Sequence, residues 1–244
     1  MKWYGQGAID SVIDQFFQKK DIQQGTFLDV GTLDGMRFSN TYNLEKERGW
    51  TGICIEIHPS YIELIKNNRP NSTCYSCAAS DVDHGEQVAN LNWRGSLSSL
   101  DLDKEEYFNS HYGPYYGDRS EKEINGFLNG LHTVKTRTLN SILEEQKEQF
   151  PTINFVTVDI DGSELMALPH LDLSKIQPDM LCLEWSTVGH EYINSYAAKY
   201  GFFPAQEIAA DVLFVQEHDL ELARSLSPNG NETVIPHPCD NADI

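Results

Sequence analysis

The chain has 244 residues, 40% of them hydrophobic, and a formal net charge of −19, enough for one sizeable core in a single domain spanning 1–244. No segment offers the roughly 18 uncharged apolar residues that a membrane-spanning helix requires, and Met1 to Gly5 lacks the continuous apolar stretch of a secretory leader. The acidic balance, with no basic stripe to override it, disfavours DNA and RNA, whose binding draws on Lys and Arg.

Residues 8–18 predict an amphipathic helix, because Ile9, Val12, Ile13, Phe16 and Phe17 recur on one helical face. Gln23-Gln24-Gly25 breaks it. The run Thr26 to Gly31 then reads as a buried parallel strand ending in an acid and a glycine. A helix over about 38–48 follows, closed by Gly49. Gly52 to Glu56 predicts a second strand, Pro59 opens a helix to about Asn68, and 72–79 predicts a third strand. Strands alternating with helices argue a mostly parallel, doubly wound α/β sheet.

The pattern lapses from Asp81 to about His132. Trp93, Tyr107, Phe108, Tyr112, Tyr115, Tyr116 and Phe127 make this stretch too aromatic for disorder. Its length suits an insertion or lid on the substrate side. His111 and His132 are weak candidates to line it. Order returns with a short strand at 133–138, a helix at 139–149 and a fourth strand at Ile153 to Asp159. A helix from about Ser163, a fifth strand at Met180 to Glu184 and a helix over about 190–199 come next. Phe202 to Ile208 and Val212 to Gln216 are consecutive strands, which predicts an antiparallel ending. Residues 228–244, rich in Asn, Pro and Asp, read as a loose tail.

The cysteines are Cys54, Cys74, Cys77, Cys182 and Cys239. An odd, sparse set suits a reducing compartment and a cytoplasmic location. Cys74 and Cys77 form a lone C-x-x-C without further ligands at zinc spacing, so packing is the expected role.

Chemistry concentrates at the strand ends. The first strand ends Asp29-Val30-Gly31-Thr32-Leu33-Asp34-Gly35. A glycine turn at the carboxyl edge of such a sheet lets a ligand approach the backbone. Leu33 stands where a dinucleotide fingerprint would place its middle glycine, and the acids Asp29 and Asp34 would repel a pyrophosphate. S-adenosylmethionine carries an ammonium and a sulfonium instead, which acids favour. Glu56 ends the second strand, where it can accept from both ribose hydroxyls. Ser80 and Asp81 follow the third, where the acid can receive an adenine amino group.

These blocks resemble the FkbM-type methyltransferases. The resemblance runs from Phe27 through Asp81, in Asp29-Val30-Gly31, Asp34-Gly35, Ser39-Asn40-Thr41-Tyr42, Gly52-Ile53-Cys54-Ile55-Glu56 and Ala78-Ala79-Ser80-Asp81. It resumes in Thr138 to Leu143 and in Val158-Asp159-Ile160-Asp161-Gly162-Ser163-Glu164. It implies a Rossmann-like class I methyltransferase fold, a seven-stranded, mostly parallel sheet with an antiparallel last strand. It also implies S-adenosylmethionine as donor and, often, O-methylation of glycans or other natural products. Leu33, Asn140 and Asp161 depart from the family's usual residues. The candidate cofactor contacts are Asp29, Gly31, Asp34, Gly35, Ser39, Glu56, Ile57, Ser80, Asp81 and Asp159.

Methyl transfer to a neutral hydroxyl needs alignment and help in removing a proton. Asp159 and Asp161 end the fourth strand, Glu184 ends the fifth, and His190 follows it. One of these carboxylates, or His190, is the candidate base. Alternatively Asp159, Asp161 and Glu184 hold a divalent cation such as Mg through oxygen ligands. Asp161 also reads as a helix cap and His190 as a helix-start residue. The expected partner is a small-molecule or glycan acceptor. N- or carboxyl-methylation and a non-catalytic cofactor-binding module are the alternatives, and oligomeric state is not legible.

Overall fold

The structure is a computed structural model, and it describes residues 1–92, 98–100 and 127–236. Most of the aromatic-rich stretch, with His111, and the tail beyond residue 236, with Cys239, lie outside the described residues.

Helix α1 (Ile9–Lys19) precedes β1 (Thr26–Val30), α2 (Tyr42–Arg48), β2 (Thr51–Glu56), α3 (Ile62–Asn68), β3 (Thr73–Ser76) and β4 (Ala78–Ala79). Then come β5 (Gly85–Leu91), β6 (Gly130–Arg137), α4 (Leu139–Glu145), β7 (Phe155–Val158), α5 (Glu164–Ala167) and β8 (Met180–Glu184). Helix α6 (His190–Lys199), β9 (Phe202–Ile208), β10 (Asp211–Gln216) and α7 (Leu220–Ser225) complete the described elements.

Seven strands form one sheet in the order β3-β2-β1-β7-β8-β10-β9. β1 pairs in parallel with β2 and β7, β2 with β3, and β7 with β8, while β10 runs antiparallel between β8 and β9. The expected doubly wound sheet with an antiparallel last strand is therefore present. Strand alternation sends its side chains into two cores. Phe27, Cys54, Phe155, Cys182 and Leu213 face α1, α2, α3 and α7. Leu28, Ile53, Val156, Leu181 and Phe214 face α4 and α6. Chain order reverses at the β1/β7 seam, where such sheets open a ligand crevice at their carboxyl edge.

Local signals set the boundaries. Gly49, at φ 68°, closes α2, its N–H donating to Glu45 O at 3.1 Å while Trp50 N donates to Leu44 O at 3.0 Å. Thr138 caps α4, its hydroxyl accepting from Ser141 N at 3.3 Å.

Two expectations need correction. The stretch from Asp81 to His132 is not free of regular structure: β5 pairs antiparallel with β6, which pairs in parallel with β4, in a separate three-stranded sheet. The single third strand at 72–79 is thus two, β3 in the large sheet and β4 in the small one. In the described part of the tail, residues 228–236, three bonds reach the N-terminal segment. Thr233 N donates to Trp3 O at 2.6 Å, Gly7 N to Glu232 at 3.0 Å and Asn229 N to Ser11 Oγ at 2.9 Å. Among the described residues no helix is long and apolar enough to cross a membrane.

Candidate active site

The turn after β1 is built by two glycines with different tasks. Gly31 has φ +90°, and a Cβ there would overlap the carbonyl oxygen of Asp159. Its absence lets β1 and β7 close at their carboxyl ends, where Asp159 N donates to Val30 O at 3.0 Å. Gly35 has φ +84°, and a Cβ there would sit 2.9 Å from Arg69 Cγ. It serves packing against Arg69, and it does not line the cavity described below.

Asp34 also turns away from that cavity. Its Oδ1 accepts from Met36 N at 3.0 Å and Arg37 N at 2.7 Å, and its Oδ2 pairs with the Arg37 guanidinium at 3.2–3.3 Å. Asp34 is a turn acid that orients an arginine and does not itself line the cavity.

Asp29 lies in the wall. Its Oδ2 accepts from Thr41 Oγ1 and faces Arg69 Nη1 at 3.5 Å. Arg69 is fully buried at 0% exposure, with Nε donating to Glu45 at 2.9 Å and its plane 4.8 Å over the Phe27 ring. Burial pushes the Asp29 carboxyl up, and the Arg69 charge opposes this. Arg69 was not legible as a site residue, since an arginine in Asn67-Asn68-Arg69-Pro70 reads as surface.

Glu56 ends β2. Its Oε1 accepts from His58 N at 2.8 Å and its Oε2 from Leu33 N at 2.7 Å. Burial raises its carboxyl to about 7, against the two N–H donors, while the charges of Asp29 and Asp34 add to the rise.

At the β7 and β8 ends, Asp159, Asp161 and Glu184 each present an oxygen within 4.8 Å of the others. Glu164 builds the turn that carries the first two. This buried acid accepts from Ile160 N and Gly162 N, both at 2.8 Å, around an Asp161 held at φ +53°. Ser186 Oγ donates to Glu184 Oε1, while the buried Glu184 Oε2 receives no donor. Burial pushes Asp159 well up, with the charges of Asp211 and Asp161 adding to it. Burial and the Asp159 charge do the same to Glu184. Two such carboxyls side by side favour one shared proton.

These residues surround a cavity of about 290 Å³ at the switch point, at the lower end of the ligand-site range. Of the candidate residues, Asp29, Gly31, Ser39, Glu56, Ile57, Asp159, Asp161 and Glu184 line it. Asp34, Gly35, Ser80, Asp81 and His190 do not. Ser80 and the exposed Asp81 form the turn into β5, with Ser80 Oγ 3.0 Å from Gln87 Oε1. His190 is exposed at the start of α6, stacked on Trp185 at 4.0 Å between centroids and paired with Glu207 at 3.0 Å. Gln6, Arg37, Phe38 and Ser186, which carried no signal in the sequence, also line the cavity, as does Asn40 of the Ser39–Tyr42 block. Asn40 Nδ2 bonds Thr157 Oγ1 at 3.2 Å and Cys182 Sγ at 3.4 Å. Leu33 and Phe38 share with Asp161 a left-handed backbone at φ 55° and 56°. Three strained non-glycine residues around one cavity mark a built site.

The family model described as Methyltransferase FkbM domain matches residues 29–204. Among curated proteins none matches the chain. Among solved structures, the crystal structure of Methyltransferase FkbM from Methylobacillus flagellatus KT at 2.20 Å resolution is similar, with 14% identity and a TM-score of 0.43. The match covers 79% of this chain and 44% of that one, so the chain spans under half of that protein's length.

Proposed function

The chain belongs to the FkbM methyltransferase family, and from that premise we propose that its cavity binds S-adenosylmethionine and methylates a hydroxyl of a sugar, a glycan or a similar small polar molecule. The observation that carries this reading is the charge of the cavity wall. Asp29, Glu56, Asp159, Asp161 and Glu184 line it against one cation among the described residues, Arg37. Such a wall suits an ammonium and a sulfonium and opposes a pyrophosphate. Glu56 keeps lone pairs for two neighbouring hydroxyls after accepting its two backbone N–H groups. Asp29, 3.5 Å from Arg69, suits an ammonium. Ile57 and Ala78 supply apolar wall for a base.

The bound donor supplies a methyl already activated on positive sulfur. What remains for the protein is alignment and a place for the acceptor's proton. The Asp159–Glu184 pair provides that place: the acceptor oxygen gains the methyl and its proton passes to the ionised member. A raised carboxyl is a stronger base than a free one, which suits this task.

The clustered oxygens of Asp159, Asp161 and Glu184 favour a second reading. An all-carboxylate set fits a hard divalent cation such as Mg, and the donorless Glu184 Oε2 is an acceptor that a cation would satisfy. These residues would hold the ion, which would lower the pKa of the acceptor hydroxyl. We also assign the protein to the cytoplasm, a reading supported by the free thiols Cys54, Cys74, Cys77 and Cys182.

The test is calorimetric titration with S-adenosylhomocysteine, with NADH as control and with and without EDTA. Micromolar binding of the first and none of NADH is expected. Absence of binding to S-adenosylhomocysteine removes the donor reading. Turnover abolished by EDTA and restored by Mg selects the cation, and indifference to EDTA selects the proton pair.

A further inference from the structure

We propose that Arg37 recognises the carboxylate of the donor's amino-acid end, making the site selective for donors that keep that group. The proposal rests on the donor reading above and adds a ligand role for a side chain outside the acidic motifs.

The amino-acid end of the donor is a zwitterion, so a site that binds it needs an acid and, nearby, a source of N–H groups. Asp29 is the acid. The wall is otherwise hostile to a carboxylate, because its other charged members, Glu56, Asp159, Asp161 and Glu184, carry the same sign. In many α/β sites the backbone of the glycine turn takes an anion. Here most of that backbone is committed elsewhere. Gly31 N and Thr32 N donate to Ile55 O at 2.9 and 3.2 Å, Leu33 N donates to Glu56, and Gly35 N donates to Thr32 O at 3.0 Å. Met36 N and Arg37 N donate to Asp34. With those six amides occupied, side chains are the main donors left for a carboxylate in this cavity.

Arg37 is the one cation that lines the cavity among the described residues. Asp34 engages Nε and Nη2 of its guanidinium on one edge. Nη1, with its N–H pair, bonds to no described residue. The side chain is only 8% exposed, so its position is fixed by packing and by Asp34. An arginine tethered along one edge and open along another is preorganised for a carboxylate. The acid flanking the glycine turn thus reaches the ligand through Arg37.

The test compares two ligands by calorimetry, S-adenosylhomocysteine and its decarboxylated counterpart, 5′-(3-aminopropylthio)-5′-deoxyadenosine. The wild-type protein is expected to bind the first about 10–100-fold more tightly, the range of a charge-assisted pair. Arg37→Met should erase that difference by weakening the first ligand while leaving the second within about twofold. Arg37→Lys should restore part of it. Because Arg37→Met leaves Asp34 unpaired, the double variant Asp34→Asn/Arg37→Met carries the same expectation in a protein without that buried charge. Discrimination that survives in either methionine variant overturns the proposal alone. Failure of both ligands to bind the wild-type protein overturns the donor reading and this proposal together.

Discussion

Glu56→Gln separates the cost of a buried carboxylate from its use. The Glu56 carboxyl is raised to about 7 from an ordinary 4.5. A group raised in this way stabilises the fold fully below its unfolded pKa, and that contribution is lost as pH climbs through the folded value. At pH 8 the ionised side chain therefore costs about 3 kcal/mol relative to its neutral form. Glutamine is neutral at every pH. Its amide group must, however, face the N–H of Leu33 or of His58, leaving a buried donor unpaired at about 1–3 kcal/mol. At pH 8 the two effects offset, and at pH 5 only the loss remains. The variant should melt below the wild-type protein at pH 5 and close to it at pH 8. Ligand affinity should behave differently. A charge-assisted acceptor for the ribose hydroxyls is gone, so S-adenosylhomocysteine should bind about 10–100-fold more weakly. The wild-type affinity should rise about tenfold from pH 6 to pH 8 as the carboxylate forms, and that of the variant should stay flat. Calorimetry and thermal melts at the two pH values read both effects. Unchanged affinity, or a melting deficit equal at both pH values, would refute the reasoning.

Gly31→Ala should cost more than 3 kcal/mol in urea unfolding, because a Cβ there strains a positive φ and breaks the Asp159–Val30 bond at the seam. A loss below about 1 kcal/mol would show that the seam relaxes freely. Asp159→Asn should keep S-adenosylhomocysteine binding while turnover of a screened acceptor drops by roughly 10²–10⁴-fold; full turnover would take Asp159 out of the mechanism. Arg69→Met should lose about 3–5 kcal/mol by stranding Asp29 and Glu45. Since protonation relieves stranded acids, that loss should be smaller at pH 5 than at pH 8, and equal losses would place the role of Arg69 in packing.

The sheet was legible because its strands are short apolar runs between clear stops. Met180–Glu184, Phe202–Ile208 and the helix His190–Lys199 fall where the pattern puts them. β5 was not legible, because Gly85-Glu86-Gln87-Val88-Ala89-Asn90-Leu91 puts Val88 on its exposed side and Gly85 and Gln87 on its inner side, so its hydropathy does not alternate although its burial does. Strand-end acids line the cavity where the strand itself aims them, as at Asp29, Glu56, Asp159 and Glu184. They lie outside its lining where a local partner captures the side chain. Asp34 belongs to Arg37 three residues on, and Asp81 sits in the turn into the second sheet. Arg69 reaches the site from the end of α3 by tertiary packing, which no local pattern encodes. Asn140 has structural work of its own, accepting from Asp172 N at 2.9 Å.

The β1/β7 seam also imposes an order of assembly on a chain leaving the ribosome. β1 finds its β2 partner soon after both are made, but its other edge stays open until Phe155–Val158 is synthesised. Pairing of that kind is slow, because a long loop must close first. In the interval Phe27 to Val30 present an apolar strand with free N–H and C=O groups, a template for the wrong partner. The edge left open longest is thus the one along which the cavity later forms, so the chain's exposure to misassociation and its ligand site share one seam.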